Sequence, residues 1–204
     1  MKKTVLGILT MLMAVIVLAG CGMFAKANGI ILYGEEEEVL NAVETIKEKE
    51  KGEKKEREKE ELVEEEQHNI KVLTDDNRQI MILTEQTAQS LIKKKLISEI
   101  TNQEKGETKA ISSLSKVAKG EALLFTKEES YELEIENMNI KYEGNLIIGD
   151  GRAYVDMFLI VNDEEWASLE GTEKVMAILK FDKDPSADGF SYEVEKAQLV
   201  RIQD

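Results

Sequence analysis

The sequence is short of the residues that build the commonest catalytic and metal sites. It contains one cysteine, one histidine and one proline, and aromatic side chains make up 5% of its 204 residues. A single cysteine excludes an intramolecular disulfide, and a single histidine excludes a histidine-rich zinc site. A Ser-His-Asp or Cys-His system would have to use His68, and no nucleophile elbow of the Gly-x-Ser-x-Gly kind accompanies it. We therefore predict that the protein is not an enzyme and that His68 is an exposed residue at the start of a strand.

Positive charge is also scarce. Lysine and arginine number 27 against 41 aspartates and glutamates, so the formal net charge is −14. Loss of residues 1–20 would remove Lys2 and Lys3 and lower that charge by two, to −16. Such a surface repels nucleic acid and anionic headgroups, which predicts that no nucleic acid is a partner. Stability must come from burial of aliphatic side chains, which are frequent enough after residue 80 for one core.

The N-terminus contains an uncharged run that is too short for a comfortable membrane span. Lys2 and Lys3 precede it, and Val5 to Ala19 contains no charged residue over 15 positions, whereas a bilayer span needs roughly 20. A basic start followed by a short apolar run is typical of a secretory signal peptide, here residues 1–20. The residues at the end of this run, Leu18-Ala19-Gly20-Cys21, resemble the lipobox of bacterial lipoproteins.

This resemblance implies a covalent lipid anchor. Signal peptidase would recognise Leu18, Ala19 and Gly20, diacylglycerol would be attached to the thiol of Cys21, and the chain would be cut before that residue. Two acyl chains hold a protein stably at a membrane, so the domain is expected at the outer face of the cytoplasmic membrane, with no other cofactor. An uncut signal anchor with Cys21 as an ordinary buried thiol is the alternative. As a whole, the chain resembles small uncharacterised lipoproteins of Gram-positive bacilli.

A charged segment separates the anchor from the main domain. Residues 21–34 are interpreted as a tether and a first strand, "GIILYG", and residues 35–67 as a charged helix. Val39, Leu40, Val43 and Ile46 have helical spacing, but residues 47–61 contain no large apolar side chain and therefore no coiled-coil seam. We predict a helix that packs at its start and continues as a solvated rod. A docking arm for a cationic partner is the alternative.

Residues 68–204 are predicted to form a single α+β domain, a mostly antiparallel sheet with short helices packed on it. Two apolar runs around Asp75-Asp76-Asn77 indicate a hairpin. Residues 121–126 and 131–136 are predicted to form a second hairpin, and Gly149-Asp150-Gly151 a tight turn between two strands. Residues 101–119 are polar and are interpreted as a loop.

One unit occurs twice in this domain. "IMILTEQTAQSL" (80–91) and "FLIVNDEEWASL" (158–169) are each an apolar strand, a capping residue and a short helix. Thr84 and Asn162 are the predicted N-caps, Gly171 is the predicted end of the second helix, and a strand follows over 173–181. Residues 154–181 also resemble parts of the extracytoplasmic domains of ABC-exporter permeases, which implies a protein-contact module rather than an enzyme.

The segment "DPSADGFSYEVE" (184–195) partly matches a calcium loop of the EF-hand kind. Gly189 occupies the turn position, but Ser191 replaces the usual apolar residue and a strand pattern precedes the loop. Turn chemistry accounts for the same residues, so no metal site is predicted. The alternative calcium ligands are Asp184, Ser186, Asp188 and Glu195.

Three functions are compatible with these features. The favoured one is a non-catalytic lipoprotein that contacts an envelope protein or peptide; the others are a ligand-binding lipoprotein associated with a transporter and a hydrolase that uses carboxylates alone. Trp166 and Tyr154 are interpreted as core residues rather than as the lining of a ligand cleft. The partner, the oligomeric state, the order of residues 47–61 and the conformation of residues 190–203 stay open.

Overall fold

The chain folds into two sheets and three helices, in a computed structural model that describes residues 27–52, 61–149, 154–185 and 192–203. The helices are α1 (Glu36–Gly52), α2 (Glu85–Lys93) and α3 (Asp163–Trp166). The strands are β1 (Gly29–Gly34), β2 (Leu62–Asp75), β3 (Arg78–Thr84), β4 (Ile97–Asn102), β5 (Glu107–Ala110), β6 (Glu121–Phe125), β7 (Asn139–Gly144), β8 (Leu146–Ile148), β9 (Met157–Val161), β10 (Thr172–Phe181) and β11 (Lys196–Val200).

The larger sheet has eight strands in the order β11-β1-β10-β2-β3-β9-β6-β7, and the smaller has the order β5-β4-β8. The pairs β3–β9 and β6–β7 are parallel, whereas the other pairs are antiparallel. The predicted α+β class with a mostly antiparallel sheet is therefore confirmed. Residues 190–203, left open from the sequence, include the edge strand β11.

Both faces of the large sheet are covered, which explains why its central strands are apolar along their whole length. All six residues of β1 and all five of β9 are buried. On one face, α2 and the small sheet pack over residues such as Ile31, Met81 and Ile178. On the other face, α1 packs over β1 and β10, while residues 131–138 and α3 pack over β3, β6 and β9.

The first hairpin is confirmed. Strands β2 and β3 are joined by the two residues Asp76 and Asn77, which have φ of 49° and 61°. Two consecutive positive φ angles are characteristic of a type I′ turn, whose twist matches that of antiparallel strands. The local sequence therefore determines this connection.

The repeated strand–cap–helix unit is confirmed, and its two copies are neighbours. Strands β3 and β9 are parallel, with Thr84 opposite Val161. The Thr84 hydroxyl accepts from the Thr87 amide at 3.0 Å, and the Asn162 side chain accepts from the Glu164 amide at 3.0 Å. The second helix is only one turn long and ends at Trp166. The prediction that Gly171 ends it was therefore wrong.

The predicted helix over residues 35–67 is wrong at its C-terminal end. Helix α1 is described as far as Gly52, and residues 62–67 belong to β2. Their charged side chains favour no strand by themselves, but β10 offers them a buried partner, with Leu62 opposite Phe181 and Glu65 opposite Leu179. Tertiary pairing overrides local preference here. Residues 53–60 lie outside the described residues.

Two further strand predictions were wrong. Strand β6 pairs with β7 and β9, and residues 131–136 belong to no strand of the described chain. Strands β8 and β9 enter different sheets, so they do not form a hairpin; residues 150–153 lie outside the described residues. The loop predicted over residues 101–119 contains the end of β4 and the whole of β5.

Candidate functional site

The structure describes only part of the predicted sites. Leu18, Ala19, Gly20 and Cys21 precede the first described residue, and Ser186 and Asp188 lie in the gap after residue 185. Within the described ranges, no group of three or more His, Cys, Asp or Glu side chains is arranged to hold a metal ion. Across those same ranges, no helix is both long enough and apolar enough to cross a bilayer.

Glu195, the last of the predicted calcium ligands, is engaged by protein groups. Its Oε1 lies 2.6 Å from Lys174 Nζ, and its Oε2 accepts from the Tyr154 hydroxyl at 2.5 Å. Lys174 also pairs with Glu35. Burial raises the pKa of Glu195, but the hydrogen bonds from Lys174 and Tyr154 outweigh it and leave that pKa below its ordinary value. The carboxylate that a calcium ion would need is therefore already paired with the ammonium group of Lys174.

The two aromatic residues considered for a ligand cleft are packed against other parts of the fold. The Tyr154 ring stacks on Tyr33, with centroids 4.7 Å apart. Burial, together with the hydrogen bond to Glu195, raises the pKa of Tyr154. The Trp166 indole packs against the β3–β9 face and donates from Nε1 to the Ile82 carbonyl at 3.3 Å.

A cluster of polar side chains lies between β2 and α2 on one face of the large sheet. Ser90 Oγ donates to Glu66 Oε1 at 2.5 Å, and Lys94 Nζ lies 3.2 Å from Glu66 Oε2 and also pairs with Glu64. His68 completes the cluster, with Nε2 3.1 Å from Glu66 Oε1. The two groups are close enough for an ion pair, but the buried Nε2 makes no hydrogen bond within the described chain. These five side chains form the β2–α2 polar cluster.

The pKa shifts in the cluster indicate that its charged groups stabilise the contact between α2 and β2. Burial raises the pKa of Glu66, but hydrogen bonds from Ser90 and Lys94 bring it below its ordinary value. Burial alone would lower the pKa of Lys94, but its hydrogen bonds to Glu64 and Glu66 raise it. Both charged forms are therefore stabilised. Burial lowers the pKa of His68 despite the adjacent Glu66 carboxylate, which keeps this imidazole neutral near pH 7.

The prediction of an exposed His68 at a strand start was wrong. His68 lies within β2, and only 12% of its side chain is exposed. Its Nδ1 is 3.5 Å from Thr87 Oγ1, but Thr87 is itself buried. A hydroxyl shielded in this way offers no approach to a substrate. Two sequence signals pointed to the cluster: Glu64, Glu66 and His68 alternate along one strand face, and Ser90 and Lys94 are four residues apart on one helix face.

Lys71 is a further buried polar residue, and its burial was not predicted from the sequence. It stands within the apolar run of β2 and is only 3% exposed. Its Nζ donates to the carbonyls of Leu169 at 2.7 Å and Ala167 at 3.2 Å, and lies 4.6 Å from the centre of the Trp166 ring. Lys71 thus satisfies the carbonyl end of the short helix α3. A lysine inside a strand of isoleucine, valine and leucine was the available signal.

Next to Lys71 lies a groove of about 660 Å³, which we call the acidic groove. Its floor is Leu73 and Ile82, one wall is residues 133–138, and the other wall contains Glu165 and residues 168–170. Glu134, Glu136 and Glu170 are exposed at its rim. A second groove, of about 610 Å³, lies between α1 and residues 192–195.

Comparisons with known proteins agree on one assignment. Residues 27–203 match the uncharacterised lipoprotein family. The fold is similar to a 1.5 Å crystal structure of a protein described as a lipoprotein from Bacillus anthracis, with a TM-score of 0.74 and 25% sequence identity. The match covers 87% of this chain and 100% of that chain. No curated protein matches the sequence.

Proposed function

Because the chain belongs to the uncharacterised lipoprotein family, we propose that it is a non-catalytic, lipid-anchored envelope protein that contacts another protein or a peptide. The observation that carries the proposal is the position of Leu18-Ala19-Gly20-Cys21, which ends six residues before the family match begins at residue 27. Diacylglycerol on Cys21 would hold the domain at the outer face of the cytoplasmic membrane, and two acyl chains suffice for stable attachment.

The start of the domain supports a defined orientation at that membrane. The Asn28 amide donates to the Val200 carbonyl at 3.1 Å, and the Asn28 side chain donates to the Ile202 carbonyl at 3.0 Å. The chain is thus fixed to the sheet immediately before β1. Six residues span at most about 20 Å, so the end of the sheet that contains Gly29 would face the membrane.

The opposite end of the sheet would then face outward. Gly29 lies opposite Lys180, while Val72 lies opposite Thr172, eight residues earlier on β10. Eight strand residues correspond to about 26 Å. The acidic groove, which contains Leu73 and its neighbours, therefore lies toward the outward end, where another envelope protein could reach it.

The charge and the packed polar groups favour a binding role. A net charge of −14 opposes close approach to anionic headgroups and favours a cationic partner. Thr87, whose hydroxyl lies 3.5 Å from His68 Nδ1 beside the β2–α2 polar cluster, is buried away from solvent. The alternative function, a ligand-binding lipoprotein that serves a transporter, stays a prediction from the sequence. It is not the one proposed, because none of the described residues that line the acidic groove is aromatic.

The test combines anchoring with contact. We expect the mature protein to partition with membranes and to carry the mass of a diacylglyceryl group, and Cys21→Ala to abolish both. Photo-crosslinkers at the outward residue Thr74 and at Arg201, near the membrane end, provide a matched pair; Thr74 should give a defined adduct and Arg201 should not. An unchanged mass and membrane fraction for Cys21→Ala, or the absence of adducts from every exposed position, would refute the proposal.

A further inference from the structure

Residues 131–136 look like a strand that lacks a partner. Their sequence "YELEIE" alternates strictly, and so does their burial: Tyr131, Leu133 and Ile135 are buried or half-buried, while the glutamates between them are exposed. The apolar side chains pack against the cluster formed by β3, β6 and β9. Alternation of apolar and polar side chains with a period of two is characteristic of an extended chain with one buried and one solvent-exposed face.

The main chain of this segment has unused hydrogen-bonding groups. The amides of residues 132–137 donate to no other group of the described chain, whereas the Tyr131 amide bonds to the Glu128 carbonyl and the Met138 amide to the Ile135 carbonyl. These two bonds close local turns at the ends of the segment, and its apolar side chains hold it on the sheet. The Tyr131 hydroxyl is further fastened to Asp75, and Arg78 lies 4.8 Å from the centre of the Tyr131 ring. A row of free donors and acceptors on a held segment is a template for an added strand.

The acidic groove runs along the edge of this segment. All six residues from 133 to 138 line it, and consecutive residues of an alternating segment point to opposite sides. A groove that touches both sets therefore follows the main chain between them. Leu73 and Ile82 on its floor and Leu169 on its far wall are apolar. A volume of about 660 Å³ lies within the range of established binding sites.

The charges at the rim select the occupant. Glu134, Glu136 and Glu170 are exposed and make no ion pair or hydrogen bond with the described residues. Glu165 is used, because both its oxygens accept from the Gly120 amide at 2.9 Å, and so is Asp75. Three unpaired carboxylates around an apolar floor complement a chain that alternates basic and apolar side chains.

We propose that the acidic groove binds an extended basic peptide segment of a partner protein by β-strand addition to residues 131–136. Main-chain hydrogen bonds would supply affinity, and the apolar floor and acidic rim would supply specificity. This inference names the contact surface of the proposed function and rests on it.

The probe is a blocked hexapeptide of alternating valine and lysine, titrated into the mature protein by NMR or calorimetry. We expect binding that weakens between 50 and 200 mM salt, as contacts between exposed charges are screened to about a 10 Å range. Replacing all three carboxylates (Glu134→Gln, Glu136→Gln, Glu170→Gln) should weaken binding about tenfold, since several exposed ion pairs are lost together. N-methylation of one of the two sets of amides, those of the valines or those of the lysines, should abolish binding and N-methylation of the other set should not, because successive amides of an extended chain face opposite edges.

The matched control removes the same charge elsewhere. Glu44→Gln, Glu99→Gln and Glu104→Gln alter three exposed carboxylates that neither line the groove nor belong to residues 131–136, and this variant should bind the peptide as the unaltered protein does. Equal weakening in both variants would reduce the effect to net charge and overturn the proposal. Binding that is indifferent to N-methylation of both sets, or absent at millimolar peptide, would also overturn it.

Two further outcomes separate this inference from the broader function. A dimer that dissociates on replacement of the three rim carboxylates would assign the groove to a second copy of the chain and overturn the proposal. Failure of the peptide to bind, with the crosslinked adduct from Thr74 still present in membranes, would refute strand addition of a basic segment and leave the envelope contact standing. A mature protein that is not attached to membranes but still binds the peptide would refute the lipid-anchored function and leave the peptide-binding groove standing.

Discussion

Replacement of Lys71 by methionine tests whether a buried ammonium holds α3 against the sheet. Methionine keeps most of the unbranched side chain that packs inside β2 but removes the charge and the donors. The Leu169 and Ala167 carbonyls, now 2.7 and 3.2 Å from Nζ, lose their partner, and so does the Trp166 ring. The variant thus isolates the polar contribution of this residue.

The size of the effect follows from the exposure of each partner. Leu169 is half-buried, so its carbonyl bears a penalty of about 1–3 kcal/mol, whereas the carbonyl of the exposed Ala167 can be hydrated. Loss of the cation–π contact adds about 0.5–1 kcal/mol. We expect Lys71→Met to lower the free energy of unfolding by about 3 kcal/mol, a drop in Tm of about 8 °C for a domain of this length.

The assay uses the only tryptophan of the chain. Trp166 lies in the perturbed contact, so its fluorescence reports on that site while circular dichroism reports on the sheets during urea unfolding. Lys109→Met, on the exposed strand β5, is the control and should change stability by less than about 0.5 kcal/mol. Replacing a buried charge with an apolar group can also stabilise a protein. An unchanged or increased stability of Lys71→Met would therefore refute the reasoning.

Three other perturbations test separate parts of the fold. Burial lowers the pKa of His68, so the stability that depends on its neutral imidazole is complete above the unfolded pKa of about 6.5 and is lost as the pH falls toward the lower folded pKa. Between pH 7.5 and pH 5.5, urea unfolding should therefore show a smaller loss of stability for His68→Gln than for the unaltered protein. Equal losses of stability in the two proteins would contradict this. Thr84→Ala removes the cap of α2 and should cost about 1 kcal/mol in thermal unfolding, against no change for the exposed Thr108→Ala. Asn77→Val places a β-branched residue at a φ of 61° and should cost about 1–2 kcal/mol; Asn77→Gly should not, and equal effects of the two would dismiss backbone strain.

Features set by neighbouring residues were predictable. The two caps depend on a hydroxyl or amide and an amide two or three residues later, and the type I′ turn depends on two residues that tolerate positive φ. The burial of β1 followed from its continuous apolar run between glycines. These interactions close over a few positions, so the sequence alone contains both partners.

Features that depend on distant partners were not predictable in the same way. Residues 62–67 carry a helical charge pattern, yet they form a strand because β10 supplies a buried edge 110 to 119 residues later. Residues 131–136 carry a perfect strand pattern, yet β6 pairs with β9 and β7 instead. Several segments could pair with the same buried strand edge, and the pattern of a single segment does not determine which of them does, because strand stability depends on the neighbouring strands.

The candidate site shows the same division. The lipobox resemblance at Cys21 is a property of consecutive residues and stays a prediction of the sequence, since it lies outside the described residues. The acidic groove is assembled from residues 73–75, Ile82, residues 133–138, Glu165 and residues 168–170, which no spacing rule connects. Only the packing of these segments on one face of the sheet brings the three unpaired carboxylates around an apolar floor.

What the amino-acid order determined alone was the set of local elements, their caps and turns, and the acidic character of the surface, because each depends on contacts within a few residues or on composition. The tertiary structure decided which strands became neighbours, which lysine was buried beneath α3, and which strand-like segment was left with an open edge. The physical reason is the same in each case: these outcomes depend on which apolar surfaces are buried together, and that choice is made by the whole chain at once.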